Sequence, residues 1–214
     1  MTIDVKICGI SEAIHAEAAA DAGATYLGFI FFEPSPRNLT ISDAEALGAK
    51  LPQGPKRVGV FVNAHQELIE QAVNALKLDI IQLHGRETPL ETAFIKERLH
   101  LPVMKAIAVS AEADLAKAAP YLPYVDRILF DAKPPKGAVL PGGNAVSFPW
   151  HILKGKNLPY NWMMAGGLTP QNAFDAVTAS GANALDVSSG VETAPGKKST
   201  SLIQAFLSAV KAVK

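Results

Sequence analysis

The sequence predicts an α/β protein that forms a single (β/α)8 barrel, the TIM-barrel architecture, over residues 1–214. Short β-branched or apolar runs alternate with longer segments rich in Ala, Leu, Glu and Lys, which is typical of βα units around a parallel sheet. We count eight such units without an intervening linker, and a content of 49% hydrophobic residues is ample for one continuous core. We therefore expect one domain.

The eight predicted strands are 5–8, 26–31, 57–62, 80–84, 103–107, 127–131, 162–165 and 184–187. Helix starts are indicated by two capping-box patterns, Ser-Asp-Ala-Glu at 42–45 and Thr-Pro-Leu-Glu at 88–91, and by Thr169-Pro170. The Pro- and Gly-rich segment 133–143 follows the sixth strand, so we interpret it as a long loop on the active face.

An internal repeat supports a closed ring of units. Gly9-Ile-Ser11 and Gly23-Ala24 recur at a constant offset as Gly167-Leu-Thr169 and Gly181-Ala182. Related βα units at both ends of the chain fit a ring better than two separate domains.

Composition excludes several classes of partner. Twenty basic and twenty acidic residues give a formal net charge of zero, without the basic surface that nucleic acids need. No apolar stretch approaches the roughly eighteen residues of a membrane helix. The single cysteine forbids an internal disulfide, and residues 1–6 lack a signal-peptide pattern. We expect a cytoplasmic protein.

Polar residues near the ends of three predicted strands point to chemistry. The period of two places Lys6 and Cys8 on one face of the first strand, Gln82 and His84 on one face of the fourth, and Asp131 at the end of the sixth. A lone cysteine is usually a small buried hydrophobe, and an aspartate after an apolar run is often a helix cap. Because the ends of all strands meet at one mouth of a barrel, these polar side chains should lie close together there, which favours an active site.

Cys8 and Asp131 are suited to proton transfer. A thiol becomes a competent base when a neighbouring cation such as Lys6 stabilises its thiolate, and a carboxylic acid opposite it can protonate a leaving oxygen. This pair fits an isomerisation that needs no cofactor. The competing use is nucleophilic catalysis by Cys8, for which His84 is the one candidate base at a strand end.

The loops after the last two strands predict a phosphate site. Barrels often bind phosphate there with backbone N–H groups, and these loops contain Gly166 and Gly167 in one case and Ser188, Ser189 and Gly190 in the other.

Arg37, after the second strand, has the forked donor geometry that suits a carboxylate. We expect no metal, because His15, His65, His100 and His151 lack ligand spacing. The absence of a Gly-x-Gly-x-x-Gly or Walker pattern gives no support for nucleotide binding.

In combination, eight motifs are similar along essentially the whole chain to those of the phosphoribosylanthranilate isomerases. They are Lys6-Ile-Cys-Gly9, Gly28-Phe-Ile-Phe31, Ser35-Pro-Arg37, Val58-Gly-Val-Phe61, Gln82-Leu-His-Gly85, Leu129-Phe-Asp131, Ala165-Gly-Gly-Leu168 and Asp186-Val-Ser-Ser-Gly-Val-Glu192.

The resemblance implies an Amadori rearrangement of N-(5-phosphoribosyl)anthranilate in tryptophan biosynthesis. It implies that Cys8 is the general base, Asp131 the general acid and Arg37 the contact of the anthranilate carboxylate. The loops at Gly166 and Ser188 would bind the phosphate. We expect Lys6, Gln82, His84 and Asp186 to take part in substrate binding. The protein would need no cofactor and would be a monomer or a homodimer.

The chain departs from the family pattern at three positions. Ala145 replaces a usual glycine, Pro149 a usual aspartate, and Ser199 a usual acidic residue. Alanine at a position of positive φ costs roughly 1 kcal/mol or more.

Two alternatives stay open. One is a related isomerase that also serves histidine biosynthesis, although such enzymes resemble barrels with paired aspartates. The other is a catalytically silent phosphate-binding barrel.

Overall fold

Eight parallel strands close into a barrel in which each strand pairs with the next and the eighth pairs with the first. The structure, a computed structural model, describes residues 3–135, 137–138, 140–156 and 158–213. The strands are β1 (Asp4–Cys8), β2 (Tyr26–Phe31), β3 (Lys56–Phe61), β4 (Ile80–Leu83), β5 (Val103–Val109), β6 (Arg127–Ala132), β7 (Trp162–Met164) and β8 (Ala184–Val187). The predicted barrel is confirmed, and each predicted strand lies within two residues of an observed one.

In the described part of the chain, α-helices cover the outside of the barrel in five of the connections between its strands, and a sixth α-helix follows the last strand. They are α1 (Ala13–Asp21), α2 (Ile41–Gly48), α3 (Gln66–Leu76), α4 (Pro89–Leu99), α5 (Ala173–Ser180) and α6 (Thr200–Lys211). Among the described residues no helix is long and apolar enough to cross a membrane.

The connections after β5 and β6 contain 3₁₀ helices instead of α-helices. The first spans Glu112–Tyr124 and includes Pro120 and Pro123, while the second spans only Trp150–Leu153. A proline inside an α-helix removes a backbone hydrogen bond and clashes with the preceding turn. The two prolines therefore disfavour an α-helix in the second half of this segment.

Two of the three predicted helix starts were wrong in position. The box at Thr88 is present, but the box before α2 is formed by Thr40 and Asp43, not by Ser42 and Glu45. The N–H of Leu39 donates to Ile30 at 2.9 Å, which keeps the chain extended up to Thr40.

Helix α5 begins at Ala173, after a turn that starts at Thr169. The Asn172 side chain accepts from the N–H of Thr169 at 2.8 Å and donates to the carbonyl of Gly167 at 2.9 Å. These bonds hold the turn that delays the helix.

The barrel separates an outer apolar layer from its interior, as the period of two predicted. Outward residues such as Val5, Ile81 and Phe130 belong to the main core beneath the helices. The interior is not lined by polar residues alone, because a second apolar cluster fills part of it. Its buried members are Tyr26, Val58, Met104, Ala106, Leu129, Met163, Ala165 and Ala184.

Candidate active site

A cavity opens at the carboxyl ends of the strands, bounded by the loops that follow them. The space between its atoms is about 790 Å³, open solvent at the mouth included. Nine of the residues singled out from the sequence line it: Cys8, Arg37, His84, Asp131, Gly166, Gly167, Asp186, Ser188 and Ser189. Lys6, Gln82 and Gly190 are not in the cavity wall, so their direct contact with a substrate stays a prediction.

Lys6 forms a buried ion pair below the cavity. Its Nζ donates to Oδ1 of Asp186 at 3.0 Å, across the pairing of β1 with β8. Burial alone would lower the pKa of Lys6, but the charge of Asp186 and the charge that Cys8 would carry as a thiolate outweigh burial and raise that pKa. Lys6 is therefore a protonated cation beside the thiol.

The environment of Cys8 favours the neutral thiol. Burial raises the pKa of Cys8 most, Lys6 opposes that shift, and the negative charge of Asp186 adds to it. The net stabilisation of the thiolate that we expected from Lys6 is thus not found. Gly28 pairs with Cys8 on β2, and a Cβ there would lie 2.9 Å from Lys6 Nζ and 3.0 Å from Cys8 Sγ.

Asp131 contacts His84, the residue that directly follows the carboxyl end of β4. One carboxylate oxygen, Oδ2, lies 3.2 Å from Nε2 of His84, and the other, Oδ1, accepts from the N–H of Ala132 at 2.8 Å. The fully buried Gln82 reaches Nδ1 of the same imidazole at 2.9 Å. The ring can donate to Asp131 or accept from it according to its tautomer, so this group of side chains can hold or exchange a proton.

Arg37 is fixed on the loop after β2 and pairs with a glutamate that the sequence analysis did not single out. Its backbone N–H donates to Ser35 Oγ at 3.2 Å. Its Nε and Nη2 each donate to the carboxylate of Glu192 at 2.7 Å. Although burial raises the pKa of Glu192, hydrogen bonding to Arg37 and the charge of Lys198 lower it further than burial raises it.

Lys198 is the second residue that sequence reasoning missed. It lies on a hairpin formed by β9 (Glu192–Ala194) and β10 (Lys197–Lys198), and its ammonium donates to Glu192 Oε1 at 2.5 Å and to the carbonyl of Ser188 at 3.2 Å. Burial lowers the pKa of Lys198, and the charge of Glu192 offsets part of that shift. The sequence signal that could have indicated Lys198 was the run Gly196-Lys-Lys198, which follows the motif ending in Glu192.

The two predicted phosphate loops lie side by side. Gly166 and Gly167 have positive φ angles of 94° and 65°, and within the described part of the chain neither N–H donates to a backbone acceptor. Gly190 packs so tightly on the other loop that a Cβ would lie 1.8 Å from the carbonyl oxygen of Leu168. The glycines therefore allow close packing and leave N–H groups available for an anion.

The loop after β6 covers the cavity from the side of Asp131. Leu140, Pro141 and the residues up to Val146 line it, whereas Lys136 and Val139 of the same loop lie outside the described residues. A Cβ on Gly142 would lie 2.6 Å from Asp131 Oδ2. The loop thus closes directly over the carboxylate.

Known proteins of one family match this chain along nearly its whole length. The family model of N-(5'-phosphoribosyl)anthranilate (PRA) isomerase matches residues 5–209. The chain belongs to this family. It is 51% identical to the N-(5'-phosphoribosyl)anthranilate isomerase of Paramagnetospirillum magneticum over 211 residues, which cover 99% of this chain and 98% of that relative.

Solved structures of the family agree with the fold. A phosphoribosyl anthranilate isomerase in complex with reduced 1-(o-carboxyphenylamino)-1-deoxyribulose 5-phosphate has a TM-score of 0.84 and 34% identity, covering 98% of this chain and 99% of that one. Monomers generated from the dimeric isomerase of Thermotoga maritima give a TM-score of 0.83 at 34% identity, with the same coverage.

The departures from the family pattern have distinct structural settings. Ala145 has a φ of 55°, the left-handed conformation that an alanine disfavours. Ser199 is the N-cap of α6 and accepts from the N–H of Leu202 at 3.3 Å, a function that serine and aspartate share. Pro149 directly precedes the short 3₁₀ helix after β6.

Proposed function

We infer that this chain is a phosphoribosylanthranilate isomerase of tryptophan biosynthesis, an aldose–ketose isomerase that converts N-(5-phosphoribosyl)anthranilate to 1-(2-carboxyphenylamino)-1-deoxyribulose 5-phosphate. The observation that carries this inference is one cavity lined by Cys8, Asp131 and Arg37 together with the glycine-rich loop at Gly166. Membership of the isomerase family along nearly the whole chain supports the same reaction.

The loops at Gly166 and Ser188 would hold the substrate's phosphate, and Arg37 its carboxylate. Two anionic ends of one substrate held at separate places fix the sugar between them. The reacting carbons then lie between β1 and β6, where Cys8 and Asp131 are positioned. Held in this orientation, the substrate presents a single conformer to both Asp131, the acid, and Cys8, the base.

Asp131 would start the reaction by giving its proton to the furanose ring oxygen. The C1–O bond breaks, and the nitrogen lone pair forms the C1=N bond of a protonated Schiff base. His84, 3.2 Å from the carboxylate, stands where it can return a proton to Asp131. A positioned acid of this kind typically contributes about 10²–10⁴-fold in rate.

The thiol of Cys8 would first lose its own proton to solvent through the open mouth of the cavity, and the thiolate would then remove the proton from the second carbon of the open sugar. The electrons of the C–H bond form a C1=C2 enolamine and neutralise the iminium nitrogen. Although burial raises the pKa of the Cys8 thiol, the positive Schiff base favours the thiolate at this stage. The enolamine tautomerises to the ketone product.

The test is to offer the purified chain two aminoaldose phosphates, phosphoribosylanthranilate and the corresponding substrate of histidine biosynthesis. Loss of the fluorescence of phosphoribosylanthranilate reports the first reaction, and a change in absorbance reports the second. We expect turnover of the first substrate only. Turnover of both would identify the two-substrate isomerase, and turnover of neither would identify a silent phosphate-binding barrel.

We also propose that the protein is cytoplasmic and that it is either a monomer or a homodimer. Sedimentation of the purified chain at several concentrations distinguishes the two oligomeric states.

A further inference from the structure

Three side chains form a buried charged cluster beside the cavity, the Arg37–Glu192–Lys198 cluster. The side chains of Arg37, Glu192 and Lys198 are 4%, 2% and 0% exposed, respectively. Glu192 Oε1 accepts from Arg37 Nε at 2.7 Å and from Lys198 Nζ at 2.5 Å. Glu192 Oε2 accepts from Arg37 Nη2 at 2.7 Å and from the N–H of Gly196 at 3.3 Å. The carboxylate is therefore fully occupied by donors.

The cluster carries one more positive charge than negative. An arginine joined to a glutamate through two parallel hydrogen bonds is electrically neutral as a pair, and a neutral pair attracts a second carboxylate weakly. Lys198 supplies the extra charge, although Arg37 lines the cavity and Lys198 does not. Together, Arg37, Glu192 and Lys198 therefore carry a net positive charge.

One nitrogen of the Arg37 fork is left for a ligand. No residue in the described ranges accepts a hydrogen bond from Nη1, and a Cβ placed on Gly143 would lie 2.9 Å from it. Gly143 itself lines the cavity. The free edge of the guanidinium thus faces the loop that covers the substrate space.

We propose that Lys198 is a positioning residue that makes Arg37 a carboxylate receptor, because it neutralises Glu192 and so leaves the charge of the guanidinium for the aromatic carboxylate of the substrate. Lys198 would set specificity for carboxylate-bearing substrates without touching them. The inference rests on the proposed function, in which Arg37 contacts that carboxylate.

The test measures binding by calorimetry, without turnover. The ligands are the reduced product 1-(2-carboxyphenylamino)-1-deoxyribulose 5-phosphate and a matched analogue in which a carboxamide replaces the carboxylate. Lys198→Met should weaken binding of the carboxylate ligand by about tenfold or more and leave the carboxamide ligand within about twofold of wild type. Lys197→Met, on the exposed adjacent lysine, is the matched control and should change neither value.

A double variant separates charge from structure. Glu192→Gln combined with Lys198→Met removes one charge of each sign, so that Arg37 again provides a net positive unit. We expect the double variant to bind the carboxylate ligand more tightly than Lys198→Met does. A purely structural role of Lys198 predicts the opposite, because two partners of Arg37 are then altered. If the single variant does not fold, the double variant is compared with the wild-type chain instead, and a loss of binding confined to the carboxylate ligand would contradict the proposal.

Other outcomes overturn the proposal in distinguishable ways. Equal losses for both ligands would assign Lys198 to phosphate binding through the Ser188 loop or to the general shape of the site. Unchanged binding of the carboxylate ligand to Lys198→Met would remove Lys198 from recognition altogether. If the wild-type chain bound neither ligand, the proposed function itself would fail.

Discussion

Nζ of Lys6 lies 3.0 Å from Oδ1 of Asp186, in a buried ion pair on the face of β1 that also carries Cys8. The two charges act on the thiol in opposite directions, since Lys6 lowers the pKa of Cys8 and Asp186 raises it. Burial adds to the effect of Asp186, so the resting site holds a protonated thiol. The base of the proposed reaction is thus generated during the cycle.

The first prediction concerns the reactivity of Cys8, the one thiol of the chain. Because burial and Asp186 raise its pKa, the thiolate fraction at any pH is below that of a free thiol and grows as the pH rises. Alkylation by iodoacetamide, followed against pH beside N-acetylcysteine, should show its midpoint at higher pH for the protein. A midpoint at or below that of the small thiol would contradict the electrostatic account of the site.

Arg37→Lys should raise KM for phosphoribosylanthranilate by about tenfold or more. A lysine keeps the charge but cannot form two parallel bonds to Glu192 and also present an edge to the carboxylate. Steady-state kinetics with the purified variant measures the effect. If KM and kcat both stayed at wild-type values, Arg37 would have no part in substrate binding.

Gly167→Asp should weaken binding of inorganic phosphate, because it places a negative charge next to the glycine-rich loop. The expected loss is about 2 kcal/mol, from like-charge repulsion and desolvation. Gly167→Ala is the control: it shares the left-handed φ of 65° and the approach of a Cβ to within 2.9 Å of Ser147, but adds no charge. Equal phosphate affinity of the two variants would place the phosphate site elsewhere.

Ala145→Gly should increase kcat/KM by up to about fivefold, which corresponds to the roughly 1 kcal/mol that alanine loses at a φ of 55°. Glycine lets the loop over Asp131 adopt its closed conformation without that cost. His100→Gly is the matched control, because His100 has a φ of 52° at the end of α4 and does not line the cavity. An identical change of kcat/KM in both variants would show that loop strain at Ala145 is irrelevant to turnover.

Sequence periodicity was sufficient for the barrel and for the inward-facing side of β1 and β4. The alternation on β1 and β4 correctly separated Cys8 and Gln82 from Val5 and Ile81, since the two faces of a strand meet different layers. Local patterns failed where a distant contact decided between equivalent choices. Thr40 and Ser42 each precede an acidic residue by three positions, and the bond between Leu39 and Ile30 keeps the chain extended up to Thr40.

The charged cluster at Arg37 was not predictable for a similar reason. Glu192 is 155 residues away from Arg37 along the chain, and they meet only because the barrel closes and the hairpin after β8 reaches the loop after β2. A motif shows that Glu192 is present but does not show which cation it binds. The pairing of buried charges is a property of the closed fold.

The most direct test of the account is the turnover of phosphoribosylanthranilate by Cys8→Ser and Asp131→Asn, measured by loss of fluorescence beside the wild-type chain. Each variant lacks one proton-transfer group, so each should be slower by at least about a hundredfold while its circular dichroism spectrum is unchanged. Near-full activity of either variant would contradict the role given to that residue.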